Sequence, residues 1–337
     1  MKICSKCILP ETFPGISFNA DGVCRHCQKF NGKGEHSAAE KKRASKGFFE
    51  LLLDQLNKSD RLRTYSYDIL MAYSGGKDST YTMSLLKNKY NLRILALSFD
   101  NGFLSETAAG NIKKVTDRLG IDHIVFKPRW ELLKSIFKAA SGRELYTRKT
   151  LERASTICTS CMGIVKSLCL KTSIELHIPM IGYGWSPGQA PVQSSIMRNN
   201  PAFIRMTQQA ILTPLREIAG GEIDAYFLQD RHYADPGRFP YNVHPMAWEY
   251  YNEGMIVHEI QKLGWVSPED TDSNSTNCLL NAFANEEHIK KHRFHPYAWE
   301  ISNMVREGVM TRDEGFKKIY AEQPARLVKK AREKLEA

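Results

Sequence analysis

The stretch YDILMAYSGGKDST (67–80) limits what this chain can fold into more than any other segment. YDILMAY is apolar enough for a strand covered on both faces, and it runs without a linker into a glycine pair. STYTMSLLKNKY (79–90) has the composition of a helix that packs back on the sheet. LRILALSFD (92–100) is the next buried strand, ETAAGNIKKVTDRLG a helix, and DHIVFKP (122–128) a third strand. Strand, helix and strand at this spacing imply right-handed parallel βαβ units. GIVKSLCLKTSIELH (163–177) reads as a helix and IPMIGYG (178–184) as a strand, and SPGQAP (186–191) ends the regular structure. The expected fold class is therefore α/β, with a parallel-sheet core over residues 67–220. It is preceded by a four-cysteine knuckle (1–30) and a helical linker (31–66), and followed by a helical C-terminal region (221–337).

The loop itself is built for phosphate. A strand end, two glycines and a helix start bring backbone N–H groups and the positive end of a helix to one point. It is not a Walker A loop: Lys77 is followed by Asp78, and position 71, where the first glycine of that pattern belongs, is Met71. SGGKDS resembles instead the pyrophosphate loop of the PP-loop ATP pyrophosphatases, the adenosine nucleotide α-hydrolase-like superfamily, whose members cleave ATP between the α- and β-phosphates. The resemblance implies that Ser74, Gly75, Gly76, Asp78 and Ser79 grip pyrophosphate and that Lys77 neutralises charge at the α/β bridge. It also implies adenine near Phe99 and Asp100 at the end of the following strand, with Mg²⁺ on Asp78 or Asp100. A carbonyl or amide oxygen of the substrate would take up AMP and so become a leaving group.

The eight cysteines are grouped. Cys4–Cys7 and Cys24–Cys27 form two C-x₂-C pairs at a spacing that suits a tetrahedral Zn²⁺ site, and a metal would stabilise a segment too small for its own core. Cys158 and Cys161 form a third pair. Three readings of it stand: an iron–sulfur site completed by Cys278, another metal or redox role, or a structural pair at a helix start, where the helix N-terminus would lower the thiol pKa. Cys169 reads as a core thiol.

What is adenylated divides two resemblances. CSKCILPETFPGISFNADGVCRHC at the start, SGGKDST in the middle and DTDSNSTNCLLN (270–281) near the end resemble the N-acetyl sugar amidotransferase family of lipopolysaccharide and flagellar, pseudaminic-type sugar synthesis. That match spans nearly the whole chain. It implies conversion of an acetamido to an acetamidino group on a sugar or sugar nucleotide, with ammonia from a glutaminase partner, since no glutaminase cysteine is apparent. ICTSCMGIVKSLCLKTSIELHIPMIGYGWS (157–186) resembles tRNA thiolation enzymes of the same superfamily, in which a [4Fe-4S] cluster carries sulfide. Coverage favours nitrogen transfer to a sugar; sulfur transfer, with tRNA as substrate and Cys158, Cys161 and Cys278 as ligands, is the alternative.

The loop after the 178–184 strand belongs at the carboxyl edge of the sheet, where open α/β folds bind ligands. Gly184 is therefore a candidate nucleotide contact, and Trp185, Ser186 and Gln189 are candidate substrate contacts. Asn274, Ser275 and Asn277 join them, although an Asx-turn cluster would look the same. RHYADPGRFPYNVHP (231–245) is either an RNA-facing surface of aromatic and basic residues or a packed junction. His292, His295 and Glu300 fit either substrate contact or an ordinary structural role. A net charge of +10 suits a polyanionic ligand without selecting one. No run of about 18 apolar residues is apparent and no signal peptide begins the chain, so the expectation is a cytoplasmic enzyme without a membrane span. An HExxH motif is absent, which excludes zincin chemistry.

Overall fold

The computed structural model describes residues 1–30, 34–58 and 66–337, so residues 31–33 and 59–65 of the expected linker lie outside the described residues. Six strands form one sheet: β1 (Ile69–Ala72), β2 (Ile94–Phe99), β3 (Asp122–Phe126), β4 (Met180–Tyr183), β5 (Ile196–Arg198) and β6 (Tyr241–Val243). Their order is β3-β2-β1-β4-β6-β5, and every pairing is parallel except β5 on β6. Period-two alternation explains why β1 reads as an unbroken apolar run. Ile69 and Met71 pack on one face with Met83, Leu86, Val115 and Trp265. Leu70 points the other way, into a layer with Leu95, Leu168, Ile174 and Ile181.

The helices Lys77–Asn88, Glu106–Leu119 and Thr156–Glu175 are the crossovers that carry these layers. Ser105 caps the second through a hydrogen bond from the Ala108 N–H, and Gly120 ends it in the left-handed conformation. Thr156–Glu175 begins seven residues before the expected 163, because Ser155 caps it by accepting from the Cys158 N–H. At 20 residues it is long and apolar enough to pass for a membrane span by length and composition, which the sequence reading had not anticipated. Its buried residues Ile164, Leu168 and Ile174 belong to the core of this fold.

Two strands went unread. β5 and β6 have three residues each, too short for alternation to show, and β6 extends the sheet past residue 220 into the stretch expected to be helical. The residues between them fold as Pro201–Ala219, a helix whose first turn starts with proline and is capped by Asn200. Four further helices, Asn281–His292, Ala298–Arg306, Arg312–Tyr320 and Ala325–Glu336, complete the C-terminal part as expected. The first 30 residues pack on them: Phe13 stacks on Trp299 at 5.7 Å and meets Phe294 edge-on at 5.2 Å.

From β1 the chain runs outward through β2 and β3 on one side, and the crossover from β3 returns to lay β4 on its other side. The loop after β1 thus lies at the switch point of the sheet, where the carboxyl ends of β1 and β4 part to form a crevice. Gly184, just past β4, sets how closely these ends approach: a Cβ there would lie 2.4 Å from Ser79 Cα and 2.5 Å from Ser79 N. Backbone stands in the way, so the strain cannot be relieved by a side-chain rotation. Gly184→Ala is expected to cost about 2 kcal/mol or more, seen as a lower urea midpoint with an unchanged m-value; an unchanged midpoint would refute this account of the glycine.

Candidate active site

The glycine loop is braced from three sides. Gly75 has φ +76° and would bring a Cβ within 2.8 Å of both the Ala108 carbonyl and Ile112, so glycine is required there twice over. Its carbonyl accepts from Trp265 Nε1 at 2.9 Å. The Gly76 carbonyl accepts from the hydroxyls of Ser79 (3.1 Å) and Thr80 (2.8 Å), and Ser74 and Ser79 hydroxyls pair at 3.1 Å. From the far end of the chain, Thr276 Oγ1 accepts from the Lys77 N–H at 3.1 Å. Lys77 Nζ donates to both Asp78 oxygens (2.9 and 3.0 Å) and to the Tyr251 hydroxyl (3.0 Å), with Glu253 at 3.9 Å. Burial opposes this charge, but Asp78, Tyr251 and Glu253 outweigh it and raise the Lys77 pKa above its ordinary value. The loop therefore holds a fixed cation beside a carboxylate, which is what a polyphosphate and its metal ion require.

Asp100 accepts from the Gly102 N–H at 2.9 Å and lies 3.3 Å from Lys127 Nζ. Phe99 stacks parallel to Phe126 at 6.4 Å. Asn101, which the sequence reading passed over, joins the third cysteine pair to Cys278. Its side-chain nitrogen lies 3.6 Å from Cys161 Sγ and 3.6 Å from Cys278 Sγ. Residues 103–105 pair with 277–279: the Leu279 N–H donates to Phe103 O, the Ser105 N–H to Asn277 O, and Leu104 bridges Cys278. Cys158 Sγ lies 4.0 Å from Asn281 Oδ1, which also accepts from the Tyr297 hydroxyl, while Asn281 Nδ2 donates to both oxygens of buried Asp272 at 3.0 Å.

The three thiols thus share one polar shell, with chain segments more than a hundred residues apart. Their protonation corrects the expectation of a pKa lowered by the helix. Burial pushes Cys158 up to about 12 and raises Cys161 and Cys278 as well, outweighing the Ser155 hydrogen bond at the helix start. Three thiols this reluctant to ionise become thiolates together only with a cation among them, so the donor set fits a metal or cluster. They also stand further apart than ligands of a single ion. Among the described residues, one group of metal-ligating side chains has all its donor atoms within 4.8 Å of one another, and it is the N-terminal one.

That group is Cys4, Cys7, Cys24 and Cys27, all buried. Cys4 and Cys27 sulfurs are 3.8 Å apart, as are those of Cys7 and Cys24. A tetrahedron of thiolates with Zn–S near 2.3 Å has edges of about 3.8 Å, so the four sulfurs fit one tetrahedral ion. A cubane would hold them further apart, each on its own iron. Arg306 Nη1 lies 3.4 Å from Cys7 Sγ and stabilises negative charge there.

A cavity of about 750 Å³ opens beside Cys158 and runs under the loop after β4. Gly184, Trp185 and Gln189, candidate contacts in the sequence, are among the residues that line it. Ser186 and Gln189 (3.1 Å) both donate to Glu300, a carboxyl enclosed at the cavity wall. Asn274 turns away, donating to the Lys318 carbonyl at 2.9 Å, whereas Ser275 accepts from the Cys278 N–H and so shapes the turn that presents that thiol. His295 is buried against Tyr297, and His292 lies 3.9 Å from Glu144; neither lines the cavity with Glu300. In 231–245, Phe239, His232 and His244 are buried, and Arg231 and Arg238 pair with Glu175 and Asp235. Part of that stretch is therefore packed, while 234–238 are exposed.

Besides Asn101, the sequence reading missed Thr276, Tyr251 and Asp272. The first three lie next to motifs or in polar loops without a pattern of their own. A buried aspartate next to a cysteine-bearing turn was the one available signal.

Burial pushes Glu300 up to about 7, against the hydrogen bonds from Ser186 and Gln189. The folded state therefore holds this proton more tightly than the unfolded chain, and wild type loses stability as pH rises from 4.5 towards 7. Glu300→Gln is expected to remove that part of the slope and to gain on wild type by on the order of 2 kcal/mol above neutrality. Urea unfolding across the pH range reads this directly; parallel curves would refute it.

Residues 68–213 match the family model of the phosphoadenosine phosphosulfate reductase domain. An uncharacterized protein of Methanocaldococcus jannaschii is 22% identical over 253 residues, covering 75% of this chain and 72% of the relative. A solved structure, the U34-tRNA thiolase NcsA from Methanococcus maripaludis with its [4Fe-4S] cluster, aligns over 96% of this chain and 93% of its own, at 18% identity and a TM-score of 0.37. The strand–loop–helix at the switch point and the matched stretch around it agree: residues 68–213 are a phosphoadenosine phosphosulfate reductase-type domain of the PP-loop ATP pyrophosphatase superfamily.

Proposed function

We propose that this enzyme adenylates a carbonyl or amide oxygen of its substrate with ATP and then replaces that oxygen with sulfur. One observation carries the reading: the turn 276–278 touches both halves of the chemistry. Thr276 accepts from the amide of Lys77 in the pyrophosphate loop, and two residues later Cys278 faces Cys161 across the Asn101 amide, with Cys158 held against Asn281. In the first half, the substrate oxygen bonds to the α-phosphorus while the bond to the bridging oxygen breaks and pyrophosphate leaves. Lys77 and the loop amides would stabilise the charge that accumulates on the bridge and the leaving group, and Asp78 would hold Mg²⁺. In the second, a carbon–sulfur bond forms, the carbon–oxygen bond breaks, and AMP leaves with the oxygen. A [4Fe-4S] cluster on Cys158, Cys161 and Cys278 would have one iron without a protein thiolate, at which sulfide can be carried. Asn101 orients two of the ligands, and Asp272 and Asn281 steady the shell around Cys158. Zn²⁺ on the N-terminal cysteines would be structural.

Nitrogen transfer to an N-acetyl sugar is the second reading. It is favoured by the cysteine and turn patterns that run from one end of the chain to the other, and by the amides of Asn199, Gln208 and Asn242 that line the cavity. It needs a glutaminase partner and gives the three gathered thiols no chemical role, which is why the geometry reverses the order of preference reached from sequence. The sulfur reading leaves open whether tRNA or a small molecule is the acceptor.

Protein purified without oxygen is expected to carry about one zinc per chain together with iron and acid-labile sulfide. Cys158→Ala/Cys161→Ala should lose the iron and sulfide and keep the zinc, and Lys77→Ala should lose ATP–pyrophosphate exchange while keeping both metals. Zinc alone in wild type would sink sulfur transfer and return nitrogen transfer to first place.

A further inference from the structure

Lys77 is not the only lysine at the phosphate loop. Oε1 of Glu253 lies 3.9 Å from Lys77 Nζ and 3.6 Å from Lys318 Nζ, so one carboxylate oxygen stands between two ammonium groups. Lys318 belongs to the helix Arg312–Tyr320, near the end of the chain. The lysine side chains keep 13% and 26% of their surface, whereas that of Glu253 keeps 41%. The anion is thus the outermost of the three, and a turn of its side chain into solvent leaves both cations facing the loop.

What surrounds the two lysines keeps them there. The Tyr251 hydroxyl accepts from Lys77 Nζ at 3.0 Å and donates to Asp78 at 3.3 Å, with its ring 5.5 Å from the same ammonium. Lys318 is fixed through its backbone. Its carbonyl accepts from Asn274 Nδ2 at 2.9 Å, in the turn whose Thr276 meets the Lys77 N–H. The next two residues tie the helix to the N-terminal module, Ile319 in its apolar core and Tyr320 by donating to the Ile8 carbonyl. Glu314, one turn back on the same helix, is taken up by the N–H and hydroxyl of Thr311, which leaves Glu253 as the ion-pair partner of Lys318 among the described residues. Two ammonium groups this close repel each other unless an anion lies between them. Glu253 supplies one, but loosely: charge-assisted N–H···O bonds are about 2.7–2.9 Å long, and it reaches neither lysine at that distance.

We propose that Glu253 stands in for phosphate in the free enzyme and that Lys318 is a second pyrophosphate ligand. When ATP enters, its β- and γ-phosphoryl oxygens displace the Glu253 carboxylate, and Lys318 joins Lys77 on the pyrophosphate that leaves. This rests on the ATP-cleaving half of the proposed reaction and is independent of whether sulfur or nitrogen is transferred. A pyrophosphate carries charge on two phosphoryl groups and so engages both cations, where one carboxylate oxygen is shared between them. Lys318 thereby favours a polyphosphate over a nucleoside monophosphate.

The test is calorimetric titration of the full-length protein with inorganic pyrophosphate and with AMP, at fixed Mg²⁺. Lys318→Gln is expected to raise the Kd for pyrophosphate about tenfold and to move that for AMP little; Lys318→Arg should retain most of the pyrophosphate affinity. Glu253→Gln should bind pyrophosphate several-fold more tightly than wild type, because the competing anion is gone, and a gain of affinity does not arise from misfolding. Unchanged pyrophosphate affinity in Lys318→Gln, an equal loss for AMP, or weaker binding in Glu253→Gln, as a Mg²⁺ ligand would show, would each overturn the proposal. Wild type that binds no pyrophosphate would overturn the role of the loop in ATP cleavage as well, whereas wild-type binding indifferent to Lys318 would overturn this proposal alone.

Discussion

The short antiparallel contact between residues 103–105 and 277–279 is the interaction on which the arrangement of the site depends. Two backbone hydrogen bonds hold it, and it joins the chain just after β2 to a turn that follows the last strand of the sheet. It carries Thr276 to the pyrophosphate loop and Cys278 to the helix bearing Cys158 and Cys161. Asn101 then closes the gap with one amide group. Its Oδ1 accepts from the Phe103 N–H at 2.9 Å, which fixes the ring-like turn, and its Nδ2 is left aimed at two sulfurs. A side chain locked by its own backbone in this way positions ligands better than one held by packing alone.

Electrostatically the crevice is divided. At one end a cation is made permanent by its carboxylate and phenol neighbours; at the other, three thiols are kept neutral by burial. Each end is stable in the free protein for the opposite reason, and under the proposed function each would be completed by its ligand: polyphosphate at Lys77, a metal centre at the cysteines. The cavity beside Cys158 is lined by Lys166, which has no carboxylate partner among the described residues, and by Glu300, whose pKa burial raises to about 7. Such a concentration of incompletely paired groups is expected of a site rather than of a core.

The parallel sheet was legible because β1, β2 and β4 are buried on both faces and so read as unbroken apolar runs, with a glycine loop to mark the direction. The four-cysteine centre was legible because its ligands lie within 24 residues and their spacing encodes the geometry. What could not be read was whatever depends on long-range register. Cys278 was a candidate ligand by type, but only the pairing of 277–279 with 103–105 shows where it goes. Asn101, Thr276 and Tyr251 are ordinary residues in loops until that pairing is known. β5 and β6 escaped because three residues cannot display a period of two. The charge state of Cys158 was misjudged for a related reason: the helix start is visible in sequence, but the burial that outweighs it is not.

The N-terminal centre also bears on the cavity, through the helix Ala298–Arg306. On its way in, the chain places Tyr297 against Asn281 in the thiol shell. Trp299 receives Phe13 on its face and His26 at its edge, both from the four-cysteine module, and also lines the cavity. Glu300 follows directly, and Arg306 ends the helix beside Cys7 Sγ. Arg312 and Tyr320 fasten the next helix to the carbonyls of Cys4, Cys7 and Ile8. A segment of 30 residues has too little apolar surface to hold such a position by itself. An ion on its four cysteines would therefore support more than the knuckle: it would fix the surface against which Trp299 packs, and with it the wall of the cavity that carries Glu300. The helix Ala298–Arg306 thus ties the order of the four-cysteine module to the wall of the cavity.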